Sequence, residues 1–190
     1  MQNNFIVSVI LPVFNSEKYI GRCLRSLNRQ SLSKKNYEIV IVNDHSDDKS
    51  LIEIKKFKEK NIKIINNDKN YGLVKSLNIG IRKAKGSLIV RVVSDDWVHE
   101  DFLNIMSTFL FINQDLDAVA CDYVLTNENE KNIKIESCEK KPIGCGIMFR
   151  TQQLLNLGLY NESFKYAEEE ALRKIFLKKH SITRIPLNLY

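Results

Sequence analysis

Short apolar runs alternate with segments of helical periodicity in the first half of the chain, and this alternation restricts the fold more than any other feature. The apolar runs cover residues 5–11, 37–42, 62–65 and 87–93, and helical spacing occupies 16–30, 49–60 and 72–85 between them. Strands that alternate with helices in this way predict an α/β fold with a doubly wound, mostly parallel sheet and right-handed crossovers. Ser16 is predicted to start the first helix, because serine is a common N-cap residue.

The pattern changes after residue 97. Helical spacing returns over 100–113, 151–157 and 167–179, strand-like runs occupy 117–125, 144–150 and 181–186, and a polar, hairpin-like stretch covers 126–141. This order predicts a mixed α+β half over residues 98–190, joined to the doubly wound half over 1–97. No Pro- or Gly-rich linker and no repeat separates the halves, so we expect one domain over 1–190.

Composition excludes several classes of protein. The chain has 190 residues, of which 44% are hydrophobic, and this is enough for a sizeable core. No apolar run approaches the roughly 20 residues of a membrane span, and the start MQNNFIVSVILP lacks a basic signal-peptide region, so a cytoplasmic location is expected. The cysteines form no CxxC pair, which favours reduced core thiols over zinc or disulfides. They are Cys23, Cys121, Cys138 and Cys145.

The net charge of +6 does not by itself identify a partner. Lysines cluster mildly over 55–63 and 174–179, within segments of helical periodicity where charges are usually solvated, so nucleic acid is not an expected partner. The excess charge favours either an anionic substrate or peripheral contact with an acidic membrane surface. Oligomeric state is left open.

Two adjacent carboxylates, Asp95 and Asp96, follow the apolar run 87–93. The carboxyl ends of parallel strands form the ligand crevice of an open α/β sheet. Neighbouring carboxylates repel each other in a partly dry crevice, so a cation or ligand hydroxyls between them would favour the pair. A divalent metal that holds a diphosphate would satisfy both. The alternative is that Ser94-Asp95-Asp96 caps the next helix.

The common phosphate-binding motifs are missing. There is no G-x-G-x-x-G after the first strand and no G-x-x-x-x-G-K-[ST], which argues against a dinucleotide dehydrogenase and a P-loop NTPase. Instead, Pro12-Val13-Phe14-Asn15 follows the first predicted strand and NDHSDD, residues 43–48, follows the second. We therefore expect aromatic and polar loops along one edge of the sheet.

Five segments resemble, in order, the motifs of the family 2 glycosyltransferases with the GT-A fold, and they extend from residue 8 to about 190. They are SVILPVFNSEKYIGRCLRSL, YEIVIVNDHSDDKS, NYGLVKSLNIGIRKAKGSLIVRVVSDDW, CGIMFR and GLYNESFKYAEEEALRKIF. The resemblance implies inverting transfer of a sugar from a nucleoside diphosphate sugar, with a UDP-sugar as first choice and Mn²⁺ or Mg²⁺ as cofactor. The acceptor would be a hydroxyl of a glycan or lipid-linked precursor. Residues 1–97 would bind the nucleotide and 98–190 the acceptor.

Carried over by position, the resemblance implies that Pro12, Phe14 and Asn15 lie against the nucleotide base. Phe14 would stack on it, with a core aromatic as the alternative. Asp44 matches the second acid of the family's Asp-Asp-Gly-Ser turn and would contact the base or ribose, while Asn43 replaces the first acid. His45 replaces the glycine, so we expect it to adopt the left-handed backbone conformation that histidine tolerates better than most residues.

The acid pair matches the end of the family's Asp-x-Asp-Asp metal motif, in which Val93 takes the place of the leading acid. The resemblance implies that Asp96 binds the metal and Asp95 the ribose hydroxyls. Trp97 would form a wall of the sugar pocket or pack in the interior. Lys75 is a candidate diphosphate contact, with a solvated lysine as the alternative.

The family takes its general base from a Glu-Asp pair at the start of a late helix, and alignment on Lys179-His180 places Glu169 at the base position. Its neighbours Glu168 and Glu170 are expected to matter much less for transfer. The alternative is an acidic first turn that only stabilises the helix dipole.

Two other functional classes share parts of this pattern. A noncatalytic nucleotide-sugar-binding domain is the alternative suggested by Val93, Asn43 and the ending IPLNLY, where the family commonly continues. A sugar nucleotidyltransferase would need a Gly- and Arg-rich first loop, which LPVFNSEKYIG lacks.

Overall fold

The computed structural model describes residues 6–127, 129–164 and 166–190, and within them eight strands and six helices form an α/β fold. In chain order the elements are β1 Val7–Val13, α1 Ile20–Asn28, β2 Tyr37–Asn43, α2 Ser50–Ile54, β3 Ile62–Asn66, α3 Leu73–Lys83, β4 Leu88–Arg91, α4 Phe102–Ile112, β5 Ala118–Thr126, β6 Asn132–Glu136, β7 Ile147–Arg150, α5 Thr151–Asn156, α6 Glu168–Phe176 and β8 Ile182–Asn188.

The strands form a sheet in the order β3-β2-β1-β4-β7-β5-β6, and β8 pairs with β5. Strands β1 to β4 are parallel, whereas β7 runs antiparallel to β4 and β5, and β6 antiparallel to β5. The predicted doubly wound first half and mixed second half are confirmed. Val13 pairs with Asn43 and Ile10 with Arg91, so the loops after β1, β2 and β4 emerge at one edge.

Helices cover both faces of the sheet. Val9 and Leu11 pack in a cluster with residues of α1, α2 and α4, whereas Ile10 and Val40 pack with residues of α3, α5 and α6. All residues of β1 and β2 are buried. This burial on both faces explains why these strands read as continuous apolar runs rather than alternating ones. The predicted core thiols are confirmed, since all four cysteines are buried and free.

Helix α2 is much shorter than predicted. It ends at Ile54, and the following Lys55, Lys56, Lys58 and Lys60 would place like charges three and four residues apart if the helix continued. The chain turns instead, and Phe57 packs against the core. Among the described residues, no helix combines the length and apolar character that crossing a bilayer requires.

The predicted start of the first helix is also wrong. Helix α1 begins at Ile20, after a turn in which the Tyr19 and Ile20 amides donate to the Ser16 carbonyl. The Ser16 hydroxyl does not cap the helix. It lies 3.1 Å from the Phe14 carbonyl oxygen and 2.7 Å from the Ser94 hydroxyl, and so connects the loop after β1 to the segment after β4.

Candidate active site

The loops after β1 and β2 are tied together. The Asn15 amide donates to the Ser46 hydroxyl (3.2 Å), and the Asp47 amide donates to the Asn15 side-chain oxygen (3.0 Å). Both loops contain a left-handed residue, with φ of 48° at Asn15 and 60° at His45, so the expectation for His45 is confirmed. These bonds make one continuous platform at the sheet edge.

Phe14 lies on this platform with 49% of its surface exposed, so the alternative that it is a core aromatic is wrong. Its ring is free to stack on a planar ligand, and base contact stays a prediction. Pro12 is buried as part of β1, and it therefore shapes the strand end from within.

Asp44 is buried and already has several hydrogen bonds. Its carboxylate accepts bonds from the Asn67 side-chain amide (2.7 Å) and from the backbone amides of Tyr71 (2.9 Å) and Gly72 (2.7 Å). A carboxylate has about four acceptor positions. Asp44 therefore holds the loop that leads into α3, and it retains limited capacity for a base or ribose.

Asn43 and Lys75 also have partners within the protein. The Asn43 side chain donates to Asn66 (3.1 Å) and accepts from the Ser46 amide (3.3 Å). The Lys75 ammonium lies 3.9 Å from the ring centroid of Tyr71, which is a cation–π distance. Lys75 is thus held beside the loop that Asp44 organises, and the alternative of a freely solvated lysine is not what the structure shows.

The acid pair is held differently at its two positions. Asp95 is exposed, whereas Asp96 is partly buried and accepts a hydrogen bond from the Tyr190 hydroxyl (2.8 Å). The same hydroxyl accepts from the Val93 amide (3.2 Å). Helix α4 begins only at Phe102, so the alternative that Ser94-Asp95-Asp96 caps it is wrong.

The pKa of Asp96 is raised above its ordinary value. Burial is the main cause, and the negative charge of Asp95 adds to it, while the hydrogen bond from Tyr190 and the positive charges of Arg22 and Arg91 act in the opposite direction. Ionised Asp96 is therefore under-compensated in the protein alone. A cation at this position would favour its ionised form.

The described residues contain no group of three or more His, Cys, Asp and Glu side chains that could hold a metal ion. Asp95 and Asp96 offer two adjacent carboxylates, since Val93 occupies the place of the leading acid. Hard divalent cations accept oxygen ligands from phosphates and water as well as carboxylates. The pair therefore fits a cation whose remaining ligands come from a bound diphosphate.

The three consecutive glutamates of α6 occupy three different environments. Glu168 is buried and accepts a hydrogen bond from Arg91 Nη1 at 2.8 Å, with 6% and 11% of the two side chains exposed. Glu170 is exposed and pairs with Lys174. Glu169 lies between these extremes, partly buried. Sequence reasoning grouped Glu168 with Glu170, and the structure separates them.

Gly144 closes one side of Glu169. A Cβ added at this glycine would lie 2.8 Å from the Glu169 Cβ and 3.2 Å from Arg91 Nη1. The backbone at 144 therefore leaves no room for a side chain beside the glutamate.

Sequence reasoning missed three of these site residues: Arg91, Gly144 and Tyr190. Arg91 carried a usable signal, because a charged residue within an apolar strand requires a buried partner. Nothing in the sequence pattern pointed to Tyr190.

Two cavities flank the segment after the acid pair. One of about 500 Å³ lies between residues 96–99, the β5–β6 hairpin and residues 188–190. The second, of about 380 Å³, lies between α1 and residues 97–100. Trp97 lines both cavities and is only partly buried, so it is a wall residue rather than a fully buried one.

The chain is similar to proteins of known family and fold. The model of the family described as glycosyl transferase family 2 matches residues 8–179. The poly(ribitol-phosphate) beta-N-acetylglucosaminyltransferase TarS of Staphylococcus aureus (strain Mu50) is 36% identical over 105 residues, which are 54% of this chain and 18% of TarS. A poly(ribitol-phosphate) beta-glucosyltransferase of Bacillus spizizenii is 39% identical over 100 residues, 51% of this chain and 16% of the relative.

The crystal structure of S. aureus TarS 1–349 in complex with UDP superposes with a TM-score of 0.85 at 26% identity, covering 98% of this chain and 59% of that one. TarS 1–349 with UDP-GlcNAc gives a TM-score of 0.84 at 26% identity, with 98% and 57% covered. These matches confirm the predicted GT-A fold. The chain spans less than a fifth of the length of the two curated relatives, 18% and 16%.

Proposed function

This chain belongs to glycosyl transferase family 2, and on that premise we propose that it transfers a hexose or N-acetylhexosamine from a UDP-sugar, with inversion, to a hydroxyl of a surface polysaccharide or lipid-linked glycan precursor. One observation carries the proposal. The ends of β1, β2 and β4 meet at one edge of the sheet, and Arg91 at the end of β4 binds the start of α6, directly beside Glu169.

The donor would lie along the sheet edge. Phe14 provides a stacking face for the base, and the remaining acceptor capacity of Asp44 suits the N3–H of uracil. Lys75, in the first turn of α3, lies against Tyr71 of the loop that Asp44 holds, within the region proposed for the diphosphate. The TarS structures that contain UDP and UDP-GlcNAc support a UDP-sugar. We expect UDP to bind best, followed by CDP, and GDP to bind most weakly.

Asp96 would hold Mn²⁺ or Mg²⁺, and Asp95 would orient the ribose hydroxyls. When bound, the cation neutralises charge on the departing diphosphate. The under-compensated charge of Asp96 supports this assignment. Arg22 lies close by, because its guanidinium donates to the Asp95 carbonyl oxygen.

Glu169 would act as the general base. As the acceptor oxygen forms its bond to the anomeric carbon, the bond from that carbon to the diphosphate oxygen breaks on the opposite face, and the hydroxyl proton passes to the Glu169 carboxylate. The buried Glu168 holds the start of α6 through its ion pair with Arg91. The next residue, Glu169, is only partly buried.

A noncatalytic nucleotide-sugar-binding domain is the second candidate. Val93 in place of the leading acid favours it, because the site then offers fewer oxygen ligands for a metal.

The acceptor class of the catalytic proposal rests on the relatives, two of which are named for poly(ribitol-phosphate).

The experiment measures donor consumption by purified wild type and Glu169→Gln over a panel of UDP-sugars, with Glu170→Gln as the matched control. We expect Glu169→Gln to lower turnover by about 10²-fold or more while UDP binding stays unchanged. Full turnover in Glu169→Gln would refute the base. A wild type that binds UDP but consumes no donor would support the binding domain instead.

A further inference from the structure

The second cavity is a cleft with a basic face that the proposed catalytic chemistry does not use. Its lining includes Arg22 and Arg25, which lie three residues apart on α1, and Arg29, which directly follows the end of that helix. Trp97 and His99 line it from the segment that follows the acid pair. One carboxylate residue, Glu100, also contributes to the lining.

Hydrogen bonds fix the two walls of this cleft relative to each other. The Val98 amide donates to the Ser26 hydroxyl (3.2 Å). The buried Gln30 side chain donates to the His99 carbonyl (2.7 Å) and accepts from the Leu103 amide (2.8 Å). Because these bonds join α1 to the segment 98–103, the cleft is formed before any ligand enters.

The arginines differ in how far they are already engaged. Arg22 pairs with Glu130 (2.7 Å), donates to the Asp95 carbonyl and stacks on Trp97 at 4.0 Å. Arg25 and Arg29 are exposed, and within the described ranges neither forms an ion pair or a side-chain hydrogen bond. Two guanidinium groups therefore remain to bind an anion.

The cleft is continuous with the proposed transfer site. Residues 97–99 line both cavities, and the larger cavity reaches Asp96. A ligand whose reacting end lies near Asp96 would have to be long to cross Trp97 and reach Arg25 and Arg29. A polymeric acceptor meets this requirement, and one that carries anionic groups could also pair with Arg25 and Arg29.

We propose that the cleft binds a phosphodiester group of the acceptor chain, with Arg25 and Arg29 as its charge partners and Trp97 as the apolar wall. This inference rests on the proposed function. A guanidinium group can donate two parallel hydrogen bonds to two oxygens of one phosphate group, and this favours a phosphate ligand over an anion that offers no such pair of oxygens. The arginines and Trp97 line a cleft between α1 and residues 97–100, and this favours a chain that passes between these two segments over a flat lipid surface.

The test compares Arg25→Gln/Arg29→Gln with the control Lys55→Gln/Lys58→Gln, which removes the same charge from two exposed lysines beyond α2. The acceptors are a phosphodiester-linked polyol oligomer and a neutral glycan of similar length. For the arginine variant we expect the KM for the phosphodiester oligomer to rise about tenfold. The kcat, UDP binding and donor hydrolysis should stay at wild-type values, and the KM difference should shrink at 1 M salt, where the Debye length is about 3 Å.

The proposal would be overturned if wild type and the arginine variant had equal KM values for the phosphodiester oligomer. It would also be overturned if the KM rose equally for the neutral glycan, or equally in the lysine control. Vesicles with and without anionic lipid test the membrane alternative. If the arginine variant loses vesicle binding but keeps its KM, the cleft contacts lipid and the proposal is wrong.

The proposed function and the cleft can fail separately. A wild type that glycosylates the neutral glycan but neither binds nor uses the phosphodiester oligomer would refute only the cleft. If no UDP-sugar is consumed at all, the proposed function fails, and calorimetry of the oligomer with wild type and the arginine variant still decides about the cleft. Equal affinities there would overturn it, and weaker binding by the variant would support it.

Discussion

Arg91 and Glu168 form a buried ion pair, with 2.8 Å between Arg91 Nη1 and Glu168 Oε1. Arg91 is the last residue of β4, whose extension carries the acid pair, and Glu168 is the first residue of α6, next to the proposed base. The pair thus connects the donor edge of the sheet to the start of the helix that carries Glu169. Arg91 Nε is buried and has no hydrogen-bond partner among the described residues, so its charge depends strongly on Glu168.

Glu168→Gln should lower the free energy of unfolding by about 3 kcal/mol, because it removes the carboxylate that pairs with the buried Arg91 charge. Glu170→Gln, which affects an exposed pair, should cost less than about 0.5 kcal/mol. Urea unfolding of both variants measures this difference. The double variant Arg91→Met/Glu168→Gln should recover part of the loss, and strict additivity of the two single changes would show that the ion pair is not coupled.

Gly144→Ala should displace Glu169, because the new Cβ would meet the Glu169 Cβ at 2.8 Å and its Cγ at 2.9 Å. A shift of the base by a fraction of an ångström to 1 Å can lower kcat by up to about 10²-fold. UDP affinity should stay the same. If the effect acts through the base, Gly144→Ala should lower turnover no further in a Glu169→Gln background, and an additional loss there would point to a different cause.

The fold was largely predictable because the strands of the first half are buried on both faces and the helices between them keep one apolar side. The sequence order of these patterns restricts the topology to very few arrangements. The length of α2 was not predictable from periodicity, since Phe57 fits a helical pattern but packs from a turn. Its packing is a tertiary contact, which the spacing of apolar residues along the chain does not show.

The site was predictable as a set of positions but not as a network of contacts. Glu168 and Glu169 are adjacent and have the same side chain. They differ because Arg91, at the end of β4, pairs with Glu168. The link between Tyr190 and Asp96 joins residues 94 positions apart, and no local pattern signals it. Asp44 was predicted as a ligand contact, and its bonds to the loop before α3 depend on tertiary structure.

Asp44→Asn should destabilise the protein by about 2 kcal/mol, because an NH2 group replaces one of the two carboxylate oxygens and faces either the Gly72 amide or the Tyr71 amide, which are both donors. Asp47→Asn is the control in the same loop, where the exposed side chain should change stability by less than about 0.5 kcal/mol. Equal effects would contradict the structural role. If Asp44 also accepts uracil N3–H, UDP should lose more affinity than CDP, and equal losses would limit Asp44 to holding the loop.

Stability should fall in acid through Asp117. Burial raises the pKa of this carboxyl. Hydrogen bonds from the Ser181 amide, His180 and Gln153 together lower it by more than burial raises it, so its pKa lies below the ordinary value of 3.8. Because the pKa of Asp117 is lower in the folded than in the unfolded state, its ionised form stabilises the fold above about pH 3.8. This contribution is lost as the pH falls through the folded-state pKa.

Asp117→Asn should therefore be less stable than wild type at neutral pH and should show a shallower loss of stability below about pH 4. Urea titrations at several pH values measure both effects. The exposed Asp115→Asn change is the control and should leave the profile unchanged. Identical acid slopes for Asp117→Asn and wild type would contradict the assignment.

UDP should stabilise the protein more in Mn²⁺ than in EDTA, because Asp96 and the diphosphate together supply oxygen ligands that neither supplies alone. At about 100 times Kd, a ligand adds roughly 2.7 kcal/mol of stability, which is about 5–10 °C in Tm for a domain of this size. Asp96→Asn should remove the metal-dependent part of this shift and leave the part seen in EDTA, since stacking on Phe14 does not involve the acid pair. Asp115→Asn serves as the charge-matched control and should retain the full shift. Equal UDP affinity in Mn²⁺ and in chelator, measured by calorimetry on wild type, would show that the pair does not bind a metal with the nucleotide.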